Sequence, residues 1–550
     1  MSSSRAADSA LPQAPPVPRS ERQPLGAGER GGPGRRRSLI TAAAFAGVLP
    51  VTAGATTGAA HSPARPTPDT HPDFGPHVTV FDPTMPAADV QAALDAATAA
   101  QVANESGTRR YAFLFKPGTY NVDAQLGHYT SVAGLGLSPD DVTINGAVRA
   151  EGQPRPGGGD SAPADVWRSA ENLAVAPTDG ISRWAASRAA SLRRVHIRGR
   201  LFLLPRQGGF SSGGFIADSV VDGQVVNASR QRCLIRDSAV GSWSDGLWDQ
   251  VFAGVTGAPE QPFPEQSFPG PSYTALPAGT LSREKPFLYV DSAGRFRVFL
   301  PSPRYDAVGA SWTGGTTPGS SVPIERFFIA RPTDSVRDIN RALAQGKHLL
   351  LTPGVYRLAE SIKVKWSGTV VLGIGFPALV PVGGAVPMKV ADVTGVRIAG
   401  LLFDAGTTES PALLEVGSRR GRRTDPRDPT SLQDVFFRVR GAGPGRAATS
   451  LVVNSDNVLL DHVRAWRADH GTGVGRTVDT AQTGVVVNGD DVLATGLFVE
   501  HFPKDDVVRN GERGRTVTVP DALPYDPPDR AAHGRHGSAR RAAYEVADTV

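Results

Sequence analysis

The stretch DSVRDINRALAQGKHLLLTPGVYRL (334–358) decides the fold, because the chain contains it twice. The earlier copy runs PAADVQAALDAA (86–97) and then YAFLFKPGTYNV (111–122). Each copy has a helix-like segment, an apolar strand, a Pro-Gly turn and a tyrosine. In the first copy, Val90, Ala93, Leu94 and Ala97 fall on one helical face. Each copy leads into a strand ending at a Gly-rich bend: VAGLGLSPDDVTI (132–144) and VVLGIGFPAL (370–379). The duplication predicts two homologous domains. Their boundary is expected in SWTGGTTPGSSVP (311–323).

Beyond each opening the pattern becomes a series of short strands. VTGVRIAGLLFDAG (393–406), NSDNVLLDHVRAW (454–466) and NGDDVLATGLFVEH (488–501) share a form. A polar turn precedes Val396, Val458 or Val492, and Gly400, His462 or Gly496 follows four residues later. Recurrent strand–turn units with Asn and Asp at the bends suit a β-solenoid, whose coils stack their inward apolar side chains. The fold expected is all-β: two tandem parallel β-helices with short capping helices, over 76–315 and 320–550. High Gly (62) and Pro (46) counts agree, since they favour short strands and turns over long helices.

The net charge of +5 belongs mostly to the N-terminus, where residues 1–60 carry seven arginines and three acidic residues. The rest is nearly neutral, so no nucleic-acid partner is implied. Arg35-Arg36-Arg37 precedes an Ala-rich apolar run and small residues to Ala60, the pattern of a twin-arginine export signal. Export to the extracellular space is therefore expected. Residues 61–75 read as a disordered leader, and no stable membrane insertion is expected after cleavage. The single cysteine, Cys233, flanked by Leu234 and Ile235, reads as a buried structural thiol.

Six motifs carry a family resemblance: KPGTY (116–120), VAGLGLSPDDVTINGAV (132–148), SGGFIADSVVDGQV (212–225), SREKPFLYVD (282–291), VVVNGDDVLATGLFVEHF (485–502) and LPYDPP (523–528). In order and content they resemble the bacterial branch of glycoside hydrolase family 55, β-1,3-glucanases of the laminarinase type. The resemblance implies right-handed twin β-helices with the active site in the cleft between them. It implies inverting, exo-acting hydrolysis of β-1,3-glucan without metal or other cofactor. Inversion needs one carboxylic acid to protonate the leaving oxygen and a base to activate a water on the opposite face.

On this resemblance Glu500 is a catalytic position, and the family's general acid falls on Ala522, 22 residues on, about one coil. Alanine donates no proton. Asp521 could substitute only through a local bulge, because successive strand residues face opposite ways. Where relatives read roughly SQQQ, this chain has Ser229-Arg230-Gln231-Arg232, which makes Gln231 a catalytic candidate and Arg230 and Arg232 substrate contacts. Ser242, Trp243 and Trp248, in GSWSDGLWDQ, are further sugar-binding candidates. Aromatic positions expected near 503–511 are replaced, at Asp505 and Arg509, and relatives continue with further strands beyond VADTV (546–550). Glu284-Lys285 reads as an ion pair tying strands together, and Asp490-Asp491 as coil-corner residues. His462, His470 and His501 lack zinc-site spacing. Three functions stay open: a glucan hydrolase with its acid missing, a non-catalytic glucan-binding relative, and a polysaccharide lyase on the same architecture.

Overall fold

The computed structural model describes residues 72–547, apart from 155–159, 162–165, 207–208, 228–231, 245–249, 261–272, 420–423, 440–442, 472–473, 518–520 and 527–541. Of Asp521 it describes the backbone alone.

The repeated opening has a repeated physical cause. Helices α1 (Ala87–Gln101) and α2 (Val336–Ala344) bury one face each, Val90, Leu94 and Ala97 in α1 and Ile339, Ala342 and Leu343 in α2. After each comes the Pro-Gly turn. Tyr120 Oη lies 3.0 Å from the Phe81 carbonyl and 2.9 Å from that of Lys116. Tyr356 Oη makes the same pair of contacts, 2.7 Å to Ala330 and 2.9 Å to Thr352. The turn glycines are required in both copies: Gly118 and Gly354 have φ of +145° and +154°, and a Cβ on either would strike Pro83 or Pro332 within 2.6 Å. The motif closes the first coil onto the preceding strand.

From there the strands stack in parallel. In the first solenoid the ladder runs Val78–Phe81, Tyr111–Phe115, Thr130–Gly134, Arg168–Ala176, Ala190–Ile197, Phe215–Ala217, Leu234–Arg236, Gln250–Ala253 and Tyr273–Leu276. In the second it runs from Phe327–Ala330 through Arg397–Asp404, Thr430–Val439, Val458–Arg467 and Leu493–Glu500 to Arg515–Val517. A second seven-stranded sheet, Ile362–Val364 to Tyr544–Val546, forms another face of that solenoid. Each solenoid encloses its own apolar core. Cys233 is buried in the first, as expected. At the corners Asn510, Asn488 and Asn454 form a side-chain ladder with 2.7 Å bonds. Asp490 is also a corner residue: its carboxylate accepts the Glu512 N–H.

The four long strands of the second solenoid share one kink. Gly400, Asp434, His462 and Gly496 occupy the same register position, all with φ between +50° and +69°. A left-handed residue shifts the in–out alternation by one. Ile398 and Leu401 both reach the solenoid core, as do Leu460 and Val463. Glycine, Asp and His fill the column because bulky branched residues are strained there. Beyond the kink, alternate residues face outward: Leu402 and Phe436, then Arg438, Trp466 and Glu500. Leu402, Phe436 and Trp466 pack against Tyr129, Trp167 and Ala189 of the first solenoid. These strands are thus buried on both faces. Trp466 is buried in this interface.

The expected boundary, 311–323, is not an unstructured connection. The solenoid ladders stop at Leu276 and resume at Phe327. Between them Phe287–Val290, Phe296–Pro301 and Gly319–Pro323 form a small antiparallel sheet. Its Leu288, Phe296, Val298 and Leu300 share one cluster with Leu114 and Leu350, from either solenoid.

A buried ionic network adds to this junction. Arg193 of the first solenoid binds Asp434 and Asp461 of the second and Glu284 of the connection, at 2.8–2.9 Å. Arg236 binds Glu284 and Asp461 at 2.8 and 2.7 Å. Lys285 reaches Glu171 at 2.7 Å and Asp434 at 3.3 Å. Glu284 and Lys285 therefore tie elements together, each through other partners rather than as a pair.

Candidate active site

The outward column beyond the kink builds the site. Asp404, Arg438, Trp466, Glu500 and Ala522 are successive register partners in five strands. Register partners lie about 4.8 Å apart with side chains on one face. Glu500 closes its strand and is fully buried.

Two arginines hold its carboxylate. Arg464, diagonal to it on the neighbouring strand, donates from Nε and Nη2 to Oε2 at 3.2 and 3.0 Å. Arg188, from the first solenoid, places Nη1 2.5 Å from Oε1. Gly213, in the SGGF motif, makes room for it: a Cβ there would meet the Arg188 side chain at 2.5 Å. Burial pushes the Glu500 carboxyl up, but Arg188 and Arg464 overcome this and hold it below its ordinary value. Glu500 is thus kept ionised, suited to a base or an electrostatic anchor and unsuited to donating a proton.

Around this group lie Trp167 and Trp466, with the Arg464 guanidinium 5.6 and 4.7 Å from their ring centroids. His501 follows Glu500 with φ +69°. Its Nδ1 lies 2.7 Å from the Leu523 carbonyl and its Nε2 3.4 Å from Asp469. Burial lowers the His501 pKa, but Asp469 and Leu523 more than compensate and leave it raised. Although burial favours the protonated acid, bonds from His470 and His501 hold Asp469 well below the usual carboxylate range.

Position 522 is alanine, beside Glu500, and Val499 pairs with Asp521 with no register shift between the two pairs. Asp521 thereby occupies the column of Phe437, Ala465 and Val499, which line the solenoid core. The following turn is clamped. Arg467 makes a two-pronged contact with Asp526 at 2.7 Å on each prong, and Tyr525 donates to Asp479 at 2.8 Å.

Of the other sequence candidates, Trp243 packs edge-on to Phe252 at 4.8 Å, against the first core, and donates to Gln250 at 3.1 Å. Its half-buried ring packs on the last coils of that solenoid. Ser242 is exposed and Arg232 half-buried. Arg230, Gln231 and Trp248 lie outside the described residues. Arg188 and Arg464 were missed; for Arg464 the available signal was a charged residue at an outward position in a long buried strand, whereas Arg188 sits in a turn and carried no such signal.

Twin parallel β-helices meeting around a buried carboxylate and two indoles define a pectate-lyase-like, carbohydrate-active class of protein. The LAM55 pectate lyase-like domain family matches residues 327–519. An exo-β-1,3-glucanase of Streptomyces sp. (strain SirexAA-E / ActE) is 49% identical over 479 residues, 87% of this chain and 77% of that protein. The structure of sacteLam55A from Streptomyces sp. SirexAA-E superposes with a TM-score of 0.82 at 48% identity, covering 87% of this chain and 85% of that one. A glutamate-to-alanine variant of sacteLam55A, solved with glucose, gives the same values. The chain belongs to glycoside hydrolase family 55.

Proposed function

We propose that this protein is an exported β-1,3-glucan-binding member of its family, with hydrolysis strongly impaired. The glucan chain enters between the two solenoids and its end reaches Glu500. The sugar-binding reading draws on the relative's complex with glucose. One observation carries the impairment: the register partner of the ionised Glu500 is Ala522. An inverting hydrolase needs a proton donor as well as a base. Here Glu500 and Asp469 are both held deprotonated, so neither supplies that proton near neutral pH. Export follows from the paired arginines and apolar run at the N-terminus.

Laminarin tests both halves. Binding by the full chain in calorimetry, with reducing-end release no greater than that of Glu500→Gln, is the expected result. Turnover well above that control overturns the impairment, and absence of binding overturns the glucan reading.

A further inference from the structure

The charges around Glu500 do not balance. Two guanidinium groups, Arg188 and Arg464, lie within 3.0 Å of one carboxylate. Burial pulls the pKa of Arg464 down despite Glu500, so its charge is under-compensated. Three buried donors in this cluster have no acceptor among the described residues: Arg464 Nη1, Arg188 Nε and Trp167 Nε1. A buried donor left unpaired forfeits its hydration without replacement. Asp469 offsets the Arg464 charge only from a distance, since it and Glu105 are bonded to His470 and His501. The coil next to Glu500 presents the methyl group of Ala522 at the paired position. Solvent reaches the cluster, since the Arg188 side chain is 20% exposed.

We propose that the space beside Ala522 is a carboxylate-binding site, in which an external carboxylate shares Arg188 and Arg464 with Glu500. Two cations would then face two anions, and the orphan N–H groups would gain acceptors. A water molecule would fill the donors but leave the charge unmatched. The ligand is a short free acid, such as formate or acetate, or a uronate carried on a glycan. The site deepens the glucan-cleft reading above, but its argument rests on charge and unpaired donors rather than on turnover.

The test is a titration of the full chain with carbon-13 formate, read by NMR line broadening at constant ionic strength in potassium chloride. Saturable binding is expected. It should weaken at least tenfold in Ala522→Glu, whose longer side chain occupies the same space, and in Arg188→Gln, which removes one cation. No saturable binding, or binding undiminished by these substitutions, overturns the proposal. If Ala522→Glu does not fold, Arg188→Gln decides alone. Displacement of formate by glucuronate at far lower concentration than by glucose identifies a uronate site; equal potency identifies a site for free acids. Laminarin binding without formate binding defeats this inference alone, and the reverse result defeats the glucan reading alone.

Discussion

Glu500 and Ala522 are register partners on adjacent coils, 22 residues apart in sequence. The pairing places a methyl group beside a carboxylate that two arginines keep ionised. A carboxyl group added at 522 would therefore share a face with Glu500. Ala522→Glu is expected to raise laminarin hydrolysis on the order of 100-fold or more, the usual contribution of a positioned general acid. Reducing-end assay measures it, and Glu500→Gln in the same background should remove the gain. A folded Ala522→Glu protein with unchanged turnover would show that the deficit lies elsewhere in the cleft.

Arg467 fastens the turn after Ala522. Its side chain is 1% exposed and its two prongs meet Asp526. Removing one member of a buried pair leaves the other uncompensated, so Arg467→Met should cost about 3 kcal/mol in denaturant unfolding. Arg467→Lys should recover little, because an ammonium cannot reproduce the fork.

The network joining the solenoids makes an acid-pH prediction. Burial raises the Glu284 carboxyl, but Arg236 and Arg193 overcome it and bring its pKa down from 4.5 to about 2. A depressed folded value means the stabilisation is complete above pH 4.5 and lost as pH falls toward 2. Arg193→Met should destabilise by roughly 3–5 kcal/mol at neutral pH. Its unfolding should also show a smaller acid-dependent loss than the parent. Equal pH slopes in the two proteins would remove Arg193 from this account.

His470 works in the opposite direction. It bridges Asp469 and Glu105 at 2.7 Å each, and those bonds raise its pKa from 6.5 to about 9. The folded protein keeps a proton that the unfolded chain releases. This stabilisation is full below about pH 6.5 and disappears as pH rises through about 9. The side chain is half exposed, so screening keeps the effect small. His470→Gln should flatten the fall in Tm between those limits.

The solenoids were legible because their signals are local. The Pro-Gly-x-Tyr turns bond to carbonyls a few residues away or one coil back, and the Asn corners recur with the coil. The kink column was half visible: Gly400, His462 and Gly496 stood out by position, while Asp434, the fourth member, did not. Its effect on alternation was invisible, since a simple period of two counted from Ile398 or Leu460 places Leu401 and Val463 on the wrong face. The interface was not legible at all. Arg193, Arg236, Glu284, Asp434 and Asp461 come from five distant segments, and no spacing rule links them. Glu500 and Ala522 emerged through family resemblance, whereas the paired arginines follow from how the two solenoids dock.

The small antiparallel sheet and the ionic network have a mechanical consequence. They fasten the solenoids over a broad front, leaving no pivot about which the halves could swing. The groups each solenoid contributes to the carboxylate, Arg188 from one and Arg464 and Glu500 from the other, are therefore held in place before any ligand arrives, and little protein motion has to be frozen when one does.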